Sequence, residues 1–252
     1  MGRRIAVHQT AIVAPEVELG DDTIVGPFAV ILAPCRIGRD CWIGPHVVIG
    51  TTAEHLMKMT VARVPTAVGA ADDDADRRRV DEQVWFGRHG GGVEIGDGTT
   101  IREHATLQQG TEGPTRLGSE LFVQSQSYIA HDVTIEDRAR ISPMASLGGH
   151  AWVGHDANIG MASSVHQHRA VGAGAMVGMH ATVVRDVPPF ALVTGTPARV
   201  SSVNRIVMER LGFDEATIAA LTAAFEAHDF DHTPAPALAP DFDAWRARAT
   251  PA

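Results

Sequence analysis

The chain has 252 residues, 44% of them hydrophobic, and a formal net charge of −9, enough to bury the core of one large domain or of one domain with an appendage. The acidic balance excludes a nucleic acid as the main partner, because a phosphate backbone is held by clustered Lys and Arg. No apolar run long enough to span a bilayer appears, and Met1-Gly-Arg-Arg-Ile-Ala-Val lacks the apolar core of a signal peptide, so no membrane span and a cytoplasmic location are expected.

From the N-terminus the dominant signal is a six-residue period. Val7, Val13, Leu19, Val25, Ile31, Ile37, Ile43 and Ile49 follow it, and it resumes at Ile95, Ile101 and Leu107. A second register runs through Leu117, Val123, Ile129, Ile135, Ile141, Leu147, Val153, Ile159, Val165, Val171, Val177 and Val183. Helices repeat near 3.6 and half-buried strands near 2, and neither gives one obligatory aliphatic per six residues. A triangular coil does, with three hexads per turn of 18 residues and an inward aliphatic on each short strand. The 23 hexads make a parallel β-helix of seven to eight coils. Gly follows the aliphatic at 12 of the 23 positions, where a tight corner would favour a residue that tolerates positive φ. Cys35 and Cys41, six residues apart, fall on neighbouring faces of one coil rather than stacked, so no disulfide is expected.

Two excursions interrupt the array. Residues 51–92 hold Asp72-Asp73-Asp74, Arg77-Arg78-Arg79 and an aromatic, Gly-rich end from Trp85; the charge run is read as a solvated loop face, and the end from Trp85 is open equally to covering a site. The second is a slip of four residues at Gly110–Thr115. Pro188 and Pro189 are expected to end the coils. The β-helix is thus assigned residues 1–200 and a small helical region residues 201–252, with Ser201 capping a first helix, Gly212 stopping it, a second helix from Asp214 to about His228 and an amphipathic end carrying Trp245.

Subtracting 18 places coil positions on one another and sorts the histidines by face. His131, His150 and His166 belong to hexads that stack on successive coils, so three imidazoles are expected to converge near one corner, while His155 and His180 belong to the other faces. A lone surface His is ordinarily just solvated; convergence is what marks a candidate site.

Several runs then carry a resemblance over nearly the whole chain: Tyr128-Ile-Ala-His131-Asp132, Leu147-Gly-Gly149-His150, Val165-His166-Gln167, Asp186-Val-Pro-Pro, and Val203-Asn204 leading to Arg210-Leu-Gly-Phe213. Together they resemble the bacterial UDP-N-acetylglucosamine O-acyltransferases of lipid A synthesis. The resemblance implies left-handed coils, a homotrimer with sites between neighbouring β-helices, and transfer of a 3-hydroxyacyl chain from an acyl carrier protein thioester to the 3-position of a UDP-GlcNAc-like sugar. It implies His131 as general base, Asp132 as the group orienting it and the Gly149 N–H as oxyanion donor. It also implies that Tyr128 and His150 lie beside the sugar and that His166, Gln167, Asn204 and Arg210 surround the nucleotide. An imidazole can deprotonate a sugar hydroxyl as it attacks a thioester, and donors to the oxyanion stabilise the tetrahedral intermediate. No resident cofactor and no metal are implied, only the acyl thioester, on carrier protein or coenzyme A.

The chain departs from the family pattern at several points. Tyr128 replaces a second His, Ala53-Glu54-His55-Leu56-Met57 replaces the sugar-contacting Asn-Gln-Asp-Leu-Lys, and Leu211 replaces one of two paired Arg. Met179 stands where family members that use long chains carry Gly, which implies a shorter acyl groove. Three other readings stay open: N-acylation of a 3-amino nucleotide sugar or a secondary-metabolite intermediate, a carbonic anhydrase-like zinc enzyme, since His150 and His155 have its five-residue ligand spacing, and an inactive scaffold.

Overall fold

A computed structural model describes residues 5–32, 34–54 and 90–249. The charged and aromatic part of the long excursion and His55–Met57 therefore lie outside the described residues. The rest of the chain winds into a three-faced parallel solenoid. Face A begins with Ala6–Val7 and runs through Ile24–Val25, Trp42–Ile43, Thr100–Ile101 and onward to Met176–Val177. Face B runs from Ile12–Val13 to Thr182–Val183 and face C from Glu18–Leu19 to Ala170–Val171.

Stacking is in register. Tyr128, Ser146, Ser164 and Thr182 pair in turn along face B, as do Ile129, Leu147, Val165 and Val183. The two-residue strands put one residue out and the aliphatic in, so Ile31, Ile49, Leu107, Ile129 and Leu147 are fully buried in a column down the axis. The four-residue slip is absorbed without losing a strand pair, for Thr106 pairs with Tyr128 and Leu107 with Ile129. Cys35 and Cys41 are both free and buried.

The corners differ from expectation in one respect. Of the 12 glycines that follow an aliphatic, only Gly50 has positive φ (+88°). The left-handed residue is instead three past the aliphatic, as at Asp132, His150 and His168 (φ +59°, +59° and +58°), residue types that tolerate it better than most. Gly is needed one past the aliphatic because the next coil passes too close: a Cβ at Gly20 would strike the Gly38 carbonyl carbon.

The C-terminal end also departs from the sequence reading. After Pro188-Pro189 the chain adds Ala191–Thr194 parallel to Met176–Val177 and then turns back as Arg199–Val203, antiparallel to it. The prolines break one strand of face C, which has only the Val171–Val187 bridge there, but not face A. Ser201 consequently lies in a strand, its hydroxyl donating to the Leu192 carbonyl (3.0 Å), and caps no helix. Helix α1 (Arg205–Arg210) follows, then α2 (Glu215–Glu226) and α3 (Ala239–Arg246). Asp214 caps α2 by accepting from the Thr217 N–H (2.8 Å), and Ile218, Leu221 and Phe225 form its buried face. At the coil end Phe190 is fully buried with Phe213 edge-on to it (5.3 Å between centroids), and Trp152, an outward residue of face C, is also buried. No helix among the described residues is long and apolar enough to cross a membrane.

Candidate active site

The corner between faces B and C carries the site. Because coils repeat every 18 residues there, Asp132, His150, His168 and Asp186 occupy one position on four successive coils. His131, one residue earlier, turns its Nδ1 to Asp132 Oδ2 at 2.8 Å, and His150 Nε2 stands 3.7 Å from the same oxygen. The His131 and His150 rings meet edge-on at 5.3 Å between centroids, and His150 stacks on His168 at 4.6 Å. Side-chain exposure is only 12% for His131 and 8% for Asp132.

Three imidazoles do converge, but the third is His168 rather than His166. His166, one residue past its strand, is exposed and turns its Nδ1 to the Gln167 carbonyl (3.0 Å), and Gln167 is exposed beside it. Adding 18 to His150 leads to His168 and subtracting 18 leads to Asp132, so the signal was present in the repeat. Burial and the neighbouring His150, Arg169, His131 and His166 lower the His168 pKa. Burial works to raise the Asp132 carboxyl, but hydrogen bonds from His131 and from Glu112 and Thr111 outweigh it and hold the group well below the usual carboxylate range.

Gly149 lies against the His131 ring, where a Cβ would come 2.7 Å from both Nε2 and Cε1. Its carbonyl accepts from His168 N–H (3.0 Å), and its own N–H donates to no group among the described residues. Tyr128, on face B beside this corner, donates to Glu54 Oε2 at 3.3 Å, and burial together with that carboxylate pushes the phenol up to about 12.

Other expected site residues lie elsewhere in the same chain. Asn204 donates its Nδ2 to the Gly174 carbonyl (2.8 Å), and Arg210 reaches Asp156 Oδ1 at 3.5 Å, both at the corner between faces C and A. Met179 is 67% exposed at the third corner, between faces A and B. The structure thus brings His131, Asp132, Gly149 and His150 together and leaves Asn204, Arg210 and Met179 on other edges of the prism. Two open clefts, one on face C and one beside Arg210, are lined by residues other than His131.

His131, Asp132 and His150 offer donor atoms within 4.8 Å of one another, a set that a divalent ion could use. Within one chain His155 does not join this group. His155 sits at the corner between faces C and A, with Nδ1 on Asp156 (3.0 Å) and Nε2 on Asp241 of α3 (2.8 Å).

A three-faced coil of six-residue repeats is the architecture of hexapeptide-repeat proteins. Family profiles agree: bacterial transferase hexapeptide (six repeats) matches residues 16–51, and UDP-N-acetylglucosamine O-acyltransferase, domain 2, matches residues 186–228. The chain is 34% identical over 223 residues to the acyl-[acyl-carrier-protein]--UDP-N-acetylglucosamine O-acyltransferase of Thiobacillus denitrificans, covering 87% of this chain and 83% of that one. It is 31% identical over 226 residues to the Campylobacter concisus protein of the same name, covering 87% and 81%. Among solved structures, the UDP-N-acetylglucosamine acyltransferase of Bacteroides fragilis superposes with a TM-score of 0.74 at 22% identity, over 95% of this chain and 96% of that one. The Campylobacter jejuni enzyme gives 0.69 at 23%, over 88% and 81%. The chain belongs to the UDP-N-acetylglucosamine O-acyltransferase family and is a transferase. The fold it shares with these structures is the left-handed β-helix.

Proposed function

We propose that the protein moves an acyl chain from an acyl carrier protein thioester to the 3-hydroxyl of UDP-N-acetylglucosamine or a close relative, with His131 as general base. The observation that carries this reading is the His131–Asp132 bond with Gly149 packed on the same imidazole, in a chain 34% identical to an enzyme of that name. With Nδ1 bonded to Asp132, Nε2 is the nitrogen assigned to the sugar hydroxyl. His131 takes the hydroxyl proton as the oxygen attacks the thioester carbonyl. The Gly149 N–H donates to the oxyanion, and collapse forms the ester and expels the thiolate, which recovers the proton from His131. The reaction needs no resident cofactor or metal. Two free, buried thiols suit the reducing cytoplasm assigned to the protein.

In this reading the site is completed by a second copy in a homotrimer. His131, Arg210 and Met179 occupy three different corners of one prism, so a nucleotide held by Asn204, Arg210, His166 and Gln167 while its sugar meets His131 and His150 needs corners from two chains. Met179 would then limit the acyl groove from the neighbouring copy, and a short 3-hydroxyacyl chain is the preferred donor. A second acceptor, a 3-amino nucleotide sugar, is favoured by one observation: Glu54 brings a carboxylate to Tyr128, three residues before His131, where it can attract a cationic amine. A panel of UDP-sugars and acyl donors distinguishes the two. Mixing His131→Ala and Arg210→Ala subunits tests the shared site, since mixed trimers regain activity only if one chain supplies each residue. Stoichiometric zinc whose removal abolishes activity would instead favour the anhydrase-like reading.

A further inference from the structure

The four residues by which the second register slips fold back over the catalytic corner. Thr111 donates its N–H to both Asp132 oxygens (2.9 and 3.0 Å) and its hydroxyl to Oδ2 (2.8 Å), while Glu112 donates its N–H to Oδ1 (3.1 Å). The Asp132 N–H donates in turn to the Thr115 hydroxyl (2.9 Å). The fold-back needs glycine, because a Cβ at Gly110 would strike the Gly113 carbonyl and lie 2.8 Å from Asp132 Oδ1. Asp132 is therefore gripped from one side by this loop and from the other by His131. Its titratable surroundings are His131, His150 and, on the loop itself, Glu112; His168 lies one ring further out.

We propose that Thr111 is a positioning residue for the transfer reaction: it fixes the Asp132 carboxylate, and Asp132 fixes the plane and tautomer of His131. This rests on the reading of His131 as base. Asp132 occupies a left-handed corner that by itself sets only where the side chain starts. A carboxylate held by His131 alone is free to rotate about its own bonds, and each rotation carries the imidazole with it. The Thr111 hydroxyl and the two N–H groups remove that freedom before substrate arrives, the preorganisation on which general-base catalysis depends. The slip in the six-residue repeat thus has a catalytic use, since its residues supply the Thr111 hydroxyl and the Glu112 N–H that hold the carboxylate.

The test is a double-mutant cycle on the purified full-length enzyme, read as acyl transfer to UDP-N-acetylglucosamine. Thr111→Val, which keeps the N–H and loses the hydroxyl, is expected to lower kcat about tenfold with KM for the sugar changed less than about twofold. Thr111→Ser, which keeps the hydroxyl, is expected to stay within about twofold of the parent. In an Asp132→Asn background the Thr111→Val change is expected to cost less than about twofold, because the hydroxyl acts only through the carboxylate. A merely structural role would give the same loss in both backgrounds, and that result overturns the proposal. So does Thr111→Val activity within twofold of the parent while His131→Ala is inactive. Failure of the underlying reading is distinct, since it appears as full activity in His131→Ala.

Discussion

Gly149→Ala is the smallest change that disturbs the base. Gly149 does not have positive φ, so alanine meets no backbone barrier and the effect is one of space. The new methyl would lie 2.7 Å from His131 Nε2 and Cε1, whereas ordinary contact is about 3.5 Å. The imidazole must retreat by about 0.8 Å, and it has little room, being 12% exposed and bonded to Asp132 at 2.8 Å. A displacement near 1 Å of a reacting group costs about 10²-fold, roughly 2.7 kcal/mol of barrier. The expected result is a kcat about 10²-fold lower with KM for the nucleotide sugar within about threefold. Overpacking also costs about 1–3 kcal/mol of stability, followed separately by thermal melting so that loss of fold is not read as loss of catalysis. A folded Gly149→Ala enzyme with kcat within threefold of the parent would refute the placement of the base.

The ion pair that docks α3 gives a pH dependence. Its bond to Asp241, against the opposing effect of burial and with Asp156 adding, raises His155 to about 9; the stabilisation is therefore complete below about pH 6.5, the unfolded value, and lost as pH rises through the folded one. Asp241→Asn should lower stability in urea by about 1–2 kcal/mol at pH 6, after discounting for the side chain's 32% exposure, and by little at pH 10; equal losses at both would contradict the pairing. At the acyl end, Met179→Gly should raise kcat/KM for a C14 donor at least tenfold relative to a C10 donor, and a parent enzyme that already turns over C14 as well as C10 or shorter chains would remove Met179 as the limit.

Architecture was legible in the sequence because the repeat is enforced at every coil: an inward position that loses its aliphatic opens a cavity in a column such as Leu107–Ile129–Leu147. The same periodicity put His131 and His150 on one face. What it did not convey was direction at the corners. His166 and His168 differ by two residues, and only the left-handed step at His168 sends that ring onto His150. The glycines misled for a related reason, since steric pressure from the next coil and positive φ both select Gly and the sequence does not separate them. Thr111 was invisible because its bonds to Asp132 span 21 residues across a break in the repeat. The antiparallel return Arg199–Val203 was missed because Ser201-Ser202 before an aliphatic run has the composition of a helix cap. Asn204 and Arg210 were placed by likeness, which does not say which copy of the chain supplies them.

The central claim is that His131 deprotonates the sugar hydroxyl, and it is tested most directly by transfer of a radiolabelled 3-hydroxyacyl group from carrier protein to UDP-N-acetylglucosamine with parent and His131→Ala enzymes of matched circular dichroism and sedimentation. The mechanism predicts a folded homotrimer whose transfer rate falls at least 10²-fold; a His131→Ala trimer within threefold of the parent would contradict it.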